Sequence, residues 1–382
     1  MTKEKRPTAT KSLEAYMLSV IRGRRGVVPL LLRGFLLLLA LLHRVGLELY
    51  LLIYQVGLRR RTRLPRPVIS VGNITAGGTG KTPTVHTLCR LLKEEGLQPA
   101  VLSRGYRGRF EHGSAIVSDG QKIRLSVQEA GDEAYLLARN LPGVPVVVGK
   151  DRRVTGALSI GQFQPDVLVL DDGMQFWQLH RDVEIVLVNA LNPFDNGWIF
   201  PRGLLREPPS HLRRAHIILL TNAGRLTVAA LEALRARIRR LAPGKPIFTA
   251  DPVPGQLRFL ADQVYVPAQW LAGRRVVAVS AIADPTLFES MIGELGGILA
   301  ASFRFRDHHV YTPKEIEQVM EKACTVNAEA VITTEKDAVK LMPLRSARPL
   351  AALQVSMHID AEHEFMTEVL KAVEEAQADR RW

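Results

Sequence analysis

The sequence predicts an α/β fold in two parts: a P-loop α/β/α sandwich domain and a second, smaller α/β/α domain. An N-terminal amphipathic membrane-associated helix precedes both. Three observations lead there. An apolar strand at 67–71, a glycine-rich turn at 75–82 and a helix at 85–93 follow one another, the context a phosphate-binding loop requires. Apolar strands then alternate with helices, the pattern of a mostly parallel sheet covered on both faces. Ahead of these lies an apolar stretch, 27–58, flanked by arginines.

That stretch reads VVPLLLRGFLLLLALLHRVGLELYLLIYQVGL. No uncharged run in it approaches the roughly 20 residues needed to span a bilayer, because Arg33, Arg44 and Glu48 interrupt it. At about 100° per residue, with Arg33 at zero, Arg44 falls at about 20°, Gln55 at about 40°, Glu48 at about 60° and Arg59 at about 80°. The polar residues share one narrow stripe, and the rest of the surface is apolar. Arg22, Arg24 and Arg25 stand before it, and Arg59, Arg60, Arg61 and Arg63 after it. The expectation is a helix in the headgroup boundary with its cations on anionic lipid. A spanning helix would carry costly charge near its middle. A cleaved signal peptide would be shorter and end in small residues. A core helix of the first domain is the main rival, and one helix can serve both, with one side on the domain and one in lipid.

Charge supports a local role for this end. Of 51 Lys/Arg and 38 Asp/Glu, residues 1–66 hold fourteen and three, which leaves the rest of the chain at only +2 of the total +13. A nearly neutral body argues against a nucleic-acid surface. The two cysteines, Cys89 and Cys324, form neither a disulfide framework nor a zinc pattern, which fits a reducing compartment. The domain boundaries expected are 1–62 for the basic extension and helix, 63–245 for the P-loop domain, 246–270 for a proline-punctuated linker and 271–382 for the C-terminal α/β domain.

The loop is Thr75, Ala76, Gly77, Gly78, Thr79, Gly80, Lys81 and Thr82. Its glycines can turn successive N–H groups inward to cradle phosphate oxygens, and the helix N-terminus adds positive charge. Lys81 would reach the β- and γ-phosphates of a nucleotide, and the Thr82 hydroxyl would ligate Mg²⁺. Thr75 stands where the common pattern has glycine.

Further strands are expected at 100–103, 144–148, 166–170, 183–188 and 216–220, with helices at 128–140 and from 150 to about 160. A second block follows: strand 275–280, helix 286–296, strand 299–305, helix 313–325 and strand 330–333. Asp171 and Asp172 end a buried strand on the ligand-binding edge of the sheet, where Asp171 would hold Mg²⁺ or its water shell. Two turn aspartates before glycine are the plainer reading. Asp132 and Glu133 sit at a helix start, either as a cap or as a general base or metal-shell carboxylate. Asp307, His308 and His309 follow a strand, and a His oriented by a carboxylate could deprotonate a hydroxyl; zinc fits their spacing poorly. Residues 333–340 either cap a helix or line a nucleotide pocket. Arg104, Arg107, Arg109, Arg152, Arg153, Arg202 and Arg206 crowd the loops at strand ends and suit phosphate recognition.

Together the stretches SVGNITAGGTGKTP (70–83), SRGYRGR (103–109), GDEA (131–134), DVLVLDDGMQ (166–175), RDVEIVLVNALNPFDNGWIFPRGLLREP (181–208), FRDHHVY (305–311) and ITTEKDAVK (332–340) resemble the tetraacyldisaccharide 4′-kinase family, the lipid A 4′-kinases of Gram-negative bacteria. The resemblance covers most of 30–340, and Thr75 is no anomaly within it. It implies transfer of the γ-phosphate of ATP, with Mg²⁺, to the 4′-hydroxyl of a tetraacylated glucosamine disaccharide 1-phosphate. It implies two α/β/α domains joined by a β linker, with the nucleotide in their cleft. The working place would be the cytoplasmic face of the inner membrane, with peripheral or monotopic attachment through 27–58. Asp132 matches the catalytic base and His308 its assistant. Asp171 and Asp172 match the second carboxylate motif. Lys81 and the 75–82 loop would bind ATP, and Arg104, Arg152 and Arg206 would hold the substrate's 1-phosphate. Met174, Gln175, Phe176 and Trp177 depart from the family's aromatic-Gln-His pattern, so no role is carried onto 176. No feature points to an obligatory protein partner. A membrane-associated NTPase switch would share the P-loop and helix but would not need the second block with its Asp-His-His; a soluble metabolite kinase would not need the helix.

Overall fold

The protein is described by a computed structural model for residues 16–341 and 348–380. Residues 1–15 of the basic extension lie outside these. Thirteen strands among the described residues form one sheet. In chain order the elements are α1 (Val27–Gln55), β1 (Val68–Asn73), α2 (Lys81–Glu94), β2 (Pro99–Ser103), β3 (Ala115–Asp119), α3 (Val127–Ala130), α4 (Asp132–Asn140), β4 (Pro145–Val148), α5 (Arg152–Phe163), β5 (Val167–Asp171), β6 (Val183–Asn189), β7 (Ile217–Thr221) and α6 (Val228–Leu241). There follow β8 (Ile247–Phe259), β9 (Tyr265–Pro267), β10 (Arg275–Ser280), α7 (Pro285–Glu294), β11 (Ile298–Arg304), α8 (Pro313–Thr325), β12 (Ala330–Thr334), α9 (Glu335–Leu341), β13 (Leu350–Ile359) and α10 (Glu362–Ala378).

The strand order is β11-β10-β12-β13-β8-β7-β6-β1-β5-β2-β4-β3, with β9 on β8. Pairing is parallel except at β3/β4, β8/β9 and β8/β13. β1, β2, β5 and β7 are buried along their whole length, as strands covered on both faces must be, and their unbroken Val/Ile/Leu runs are what made them readable.

The segment expected as a linker, 246–270, is instead part of the sheet. β8 pairs in parallel with β7 through Ile247–Ala250 and antiparallel with β13 over most of its own length. Pro252 and Pro254 lie beyond the end of β7, where a missing N–H breaks no pairing on that side. β13 and α10 also cross the expected boundary. Met357, Ile359, Phe365, Met366, Val369 and Val373 join one core cluster with Ile69, Val85 and Leu88 of the first block. The sheet therefore has two lobes, and the last turns of the chain close the core of the first.

A buried carboxylate ties that end down. Asp182 Oδ2 accepts from Val68 N at 2.8 Å and from Arg380 Nη2 at 2.7 Å. Burial pushes its carboxyl up, but bonds from His180, Arg380 and Val68 outweigh this and hold it down to about 2.

α1 lies against the first lobe on one side only. Leu36 packs with Val20 and Ile21, Ala40 joins the core of the lobe, and Leu51 and Tyr54 pack on Trp177. The polar stripe borders this docked side: Glu48 Oε1 stands 3.1 Å from Nε2 of the buried His211. The opposite side exposes Phe35, Leu38, Leu42, Val45 and Leu49. Its length and composition suffice to cross a membrane, and only 17% of its most apolar window is buried. The helix is a candidate membrane-associated segment with one side on the domain.

The Asp182 anchor gives a signed pH prediction. Its folded pKa lies below the unfolded value of about 3.9, so its contribution is complete above that value and is lost as pH falls toward 2. Asp182→Asn should lower stability by about 2 kcal/mol at pH 7, and the gap to wild type should close between pH 4 and 2 in urea-unfolding measurements.

Candidate active site

The glycine-rich loop joins β1 to α2 with the expected backbone. Gly80 caps α2 at φ 83°, in the left-handed region, and a Cβ at Gly77 would meet nothing within 4 Å, so the turn is open toward a ligand. Thr75 has a different task from the glycine it replaces. It forms an antiparallel bridge with Leu205, while Ala76 N donates to Leu204 O and Arg206 N to Ile74 O, each at 2.7 Å. An extended, paired position suits a β-branched residue. Asn73 locks the loop from below: Nδ2 donates to Thr75 O and Thr79 Oγ1 at 2.8 Å, and Oδ1 accepts from Lys81 Nζ at 3.3 Å.

The register Val71↔Asp171 places the end of β5 beside the loop. The two aspartates differ in environment. Asp172 accepts from Arg206 Nη1 with both oxygens at 2.8 Å and lies 3.6 Å from Lys81 Nζ. Burial raises its pKa, but the Lys81 and Arg206 charges outweigh burial and hold it below the usual carboxylate range. Asp171 is buried and accepts from Ser103 Oγ at 3.1 Å. Burial first, then the charges of Glu133 and Asp172, push it up to about 7. The Lys81 charge and the Ser103 bond only partly offset this, so the carboxylate would gain from a further cation. With the Thr82 hydroxyl it offers an all-oxygen donor set suited to a hard divalent ion that keeps water or phosphate ligands. Among the described residues no group of three or more His, Cys, Asp or Glu forms a metal cage, so zinc at Asp307-His308-His309 finds no support. His309 instead bonds Glu315 at 3.0 Å and stacks on Phe305.

Asp132 and His308, 176 positions apart, meet across the lobes: His308 Nδ1 is 3.0 Å from Asp132 Oδ2. Burial raises the Asp132 pKa, but the His308 hydrogen bond and the charges of Lys336 and Lys340 outweigh it, and the net direction is down. Asp132 is thus a buried carboxylate that stays ionised. The 103–109 motif holds it in place. A Cβ on Gly108 would fall 2.6 Å from Gly131 N, and one on Gly131 (φ 84°) would fall 2.7 Å from Tyr106 O. Only two bare backbones can approach so closely. Tyr106 then meets the His308 ring edge-on at 5.2 Å, and Arg107 Nη1 donates to His308 O at 3.1 Å.

Two cavities flank this centre. One, of about 640 Å³, opens between the lobes and is lined by the 77–82 loop, Glu133, Asp307, Lys336 and residues of β8 and β13. The other, of about 1110 Å³, lies on the first lobe against α1 and gathers Arg104, Arg152 and Arg206 with His43, Lys150 and Phe200. They abut at Lys81, which lines the first, and Asp172, which lines the second. The three arginines expected to act together therefore share one cavity. Arg152 is buried with its Nε unpartnered, its guanidinium 5.4 Å from the Phe176 ring. Arg206 spends its bonds on Asp172 and Gln175. The departure at 176–177 acquires a reason: Phe176 lies beside Arg152, and Trp177 carries Arg214 at 3.8 Å and supports α1.

Sequence reasoning missed Lys336, Gln175 and the pair Glu207–His211, whose Nδ1 and Oε2 lie 2.7 Å apart. The stretches 332–340, 166–175 and 181–208 contained Lys336, Gln175 and Glu207 but gave them no task; His211 carries no local signal. At Gly131 the backbone argument is directly testable. Gly131→Ala should cost about 1–3 kcal/mol of stability from overpacking and positive-φ strain, measured as a shift in denaturant midpoint.

Comparison with known proteins gives this centre a lineage. The family model described as Tetraacyldisaccharide-1-P 4'-kinase matches residues 32–374. A Tetraacyldisaccharide 4'-kinase of Syntrophus aciditrophicus (strain SB) is 41% identical over 362 residues, covering 93% of this chain and 96% of that one. One of Geobacter metallireducens is 43% identical over 316 residues, covering 83% and 90%. A crystal structure of LpxK from Aquifex aeolicus in complex with ATP matches with a TM-score of 0.73 at 32% identity, covering 90% of this chain and 99% of that one. Matched from α1 to α10 and along nearly the whole of these relatives, the chain belongs to the tetraacyldisaccharide-1-P 4'-kinase family.

Proposed function

We propose that this kinase transfers the γ-phosphate of ATP to the 4′-hydroxyl of tetraacyldisaccharide 1-phosphate at the cytoplasmic face of the bacterial inner membrane. The observation that carries the reading is the contact of the two cavities at Lys81–Asp172. One cavity is lined by a phosphate loop; the other is lined by arginines and reaches α1. The ATP-bound relative and the family name support the donor and acceptor classes.

Each residue then has a task. The N–H groups of 77–80 and Lys81 bind and align the donor phosphates. Asp132, ionised and held by His308, accepts the proton of the attacking hydroxyl as its oxygen bonds to phosphorus and the bond to the ADP leaving group breaks. Thr82, Asp171 and Asp172 would hold Mg²⁺, which neutralises developing phosphate charge when bound. Asp171 suits this because burial and the neighbouring Glu133 and Asp172 charges leave its carboxylate short of positive charge. Arg104 and Arg152 face the acceptor's 1-phosphate, and Arg206 braces Asp172 at the boundary of the two cavities. In the same reading the catalytic lobe is 63–245 with α10, and the second lobe spans 271–341 with the start of β13.

α1 brings this centre to an acylated substrate. Extracting four acyl chains into water would cost about 0.8 kcal/mol per CH₂, so the enzyme works better with its apolar side already in the bilayer. The arginines at 22–25 and 59–63 sit where anionic headgroups would lie.

The deciding assay supplies Mg²⁺ and γ-labelled ATP with detergent-dispersed tetraacyldisaccharide 1-phosphate. Label on the lipid as a second phosphate supports the proposal; label released only as free phosphate by folded protein favours an NTPase switch. Asp132→Asn should lower turnover by a factor on the order of 10²–10⁴, and near wild-type turnover would remove Asp132 as base. Leu38→Asp with Leu42→Asp, at positions 55% and 61% exposed, should leave the fold intact and move the protein from the membrane to the soluble fraction. Unchanged partition would refute membrane attachment through this side.

A further inference from the structure

Lys336 has no task in the scheme above, yet it sits against its centre. It is the second residue of α9, in the second lobe, and its side chain is 17% exposed. Its Nζ lies 3.0 Å from Glu133 Oε1, 3.0 Å from Asp307 Oδ1 and 3.2 Å from His308 Nε2. Three acceptors thus face a group with three N–H donors and no acceptor.

The third contact restricts the histidine. An ammonium can only donate, so His308 Nε2 must accept and the ring proton must sit on Nδ1. That nitrogen is the one 3.0 Å from Asp132 Oδ2. An imidazolium would turn an N–H toward an ammonium 3.2 Å away, so the same contact opposes protonation of the ring. We infer that Lys336 is a positioning residue: it fixes His308 as the neutral Nδ1–H tautomer, so that His308 donates to Asp132 and cannot itself serve as base. The inference deepens the proposed reaction and rests on Asp132 as its base.

The charges around the ring give the sign of the effect. Asp132 and Glu133 from α4 and Asp307 from its own loop favour the imidazolium. Lys336, Lys340 near Asp132 at 3.8 Å, and Arg107, which donates to the His308 carbonyl, oppose it. Removing Lys336 leaves three carboxylates facing the ring and no ammonium at Nε2. Without that ammonium nothing holds Nε2 as the acceptor, the ring can carry its proton there, and the Nδ1–H bond that orients Asp132 is lost.

The test uses the full-length detergent-solubilised enzyme. Ring-nitrogen NMR of His308, assigned with His308→Gln, reads the tautomer directly. The wild type should show a protonated Nδ1 and an unprotonated Nε2 at neutral pH; a protonated Nε2 overturns the inference without any variant. Lys336→Met should let a protonated Nε2 appear in the ring-nitrogen spectrum and lower kcat by about tenfold or more, with KM for ATP little changed. Lys336→Arg, which restores a donor, should regain most of the activity. An unchanged tautomer in Lys336→Met, whatever its turnover, would mean a structural role only and would also overturn it. If Asp132→Asn keeps full turnover while the wild-type tautomer is as stated, the base assignment falls and the tautomer assignment stands.

Discussion

Charge that cannot be left alone away from water holds the two lobes in register. Asp132 and Glu133 come from the first lobe, and Asp307, His308, Lys336 and Lys340 from the second, into one small and mostly buried volume. Each group would be costly there without its partners. The pairing is complete only when both lobes are in place, so the forces that hold the lobes together also assemble the reacting groups. Gly105, Gly108 and Gly131 contribute by their lack of side chains: they let the 103–109 loop lie against the start of α4 and fix the direction of Asp132.

The same economy operates at the other end of the site. Glu48 on α1 meets His211, His211 meets Glu207, Glu207 meets Gln175, and Gln175 meets Arg206, which holds Asp172. A continuous series of polar contacts runs from the candidate membrane helix to the phosphate loop. The helix is therefore a wall of the active-site region as well as a candidate anchor. Its docked side, through Leu51, Tyr54 and Trp177, fixes where its apolar side points.

What could be read from the chain was local. The strand, loop and helix at 68–94 follow from an apolar run, glycines and a helix start within one short segment. Asp171 could be placed because an unbroken apolar strand ends on it. The polar stripe of α1 was legible from period alone, but its partner His211 was not, because nothing near 211 in sequence marks a buried histidine. β8 was read as a linker because Pro252 and Pro254 look like breaks; only the strand order shows that β7 has ended by then. α10 was missed as a part of the first core because its partners, Ile69 and Val85, lie nearly 300 residues earlier. Asp132 and His308 were singled out separately, and their contact is a product of the fold. Lys336 stood inside a quoted motif with no local reason to prefer it to Lys340.

The placement of α10 has a consequence for how the protein is made. A ribosome delivers α1 about 300 residues before the residues that close the first core. During most of synthesis the catalytic lobe is unfinished, with the apolar surface around Val85 and Leu88 waiting for Phe365 and Val369. The exposed leucines of α1 are meanwhile free to engage a bilayer. Engagement of a bilayer by α1 would precede maturation, and the first core would then close beside the lipid phase.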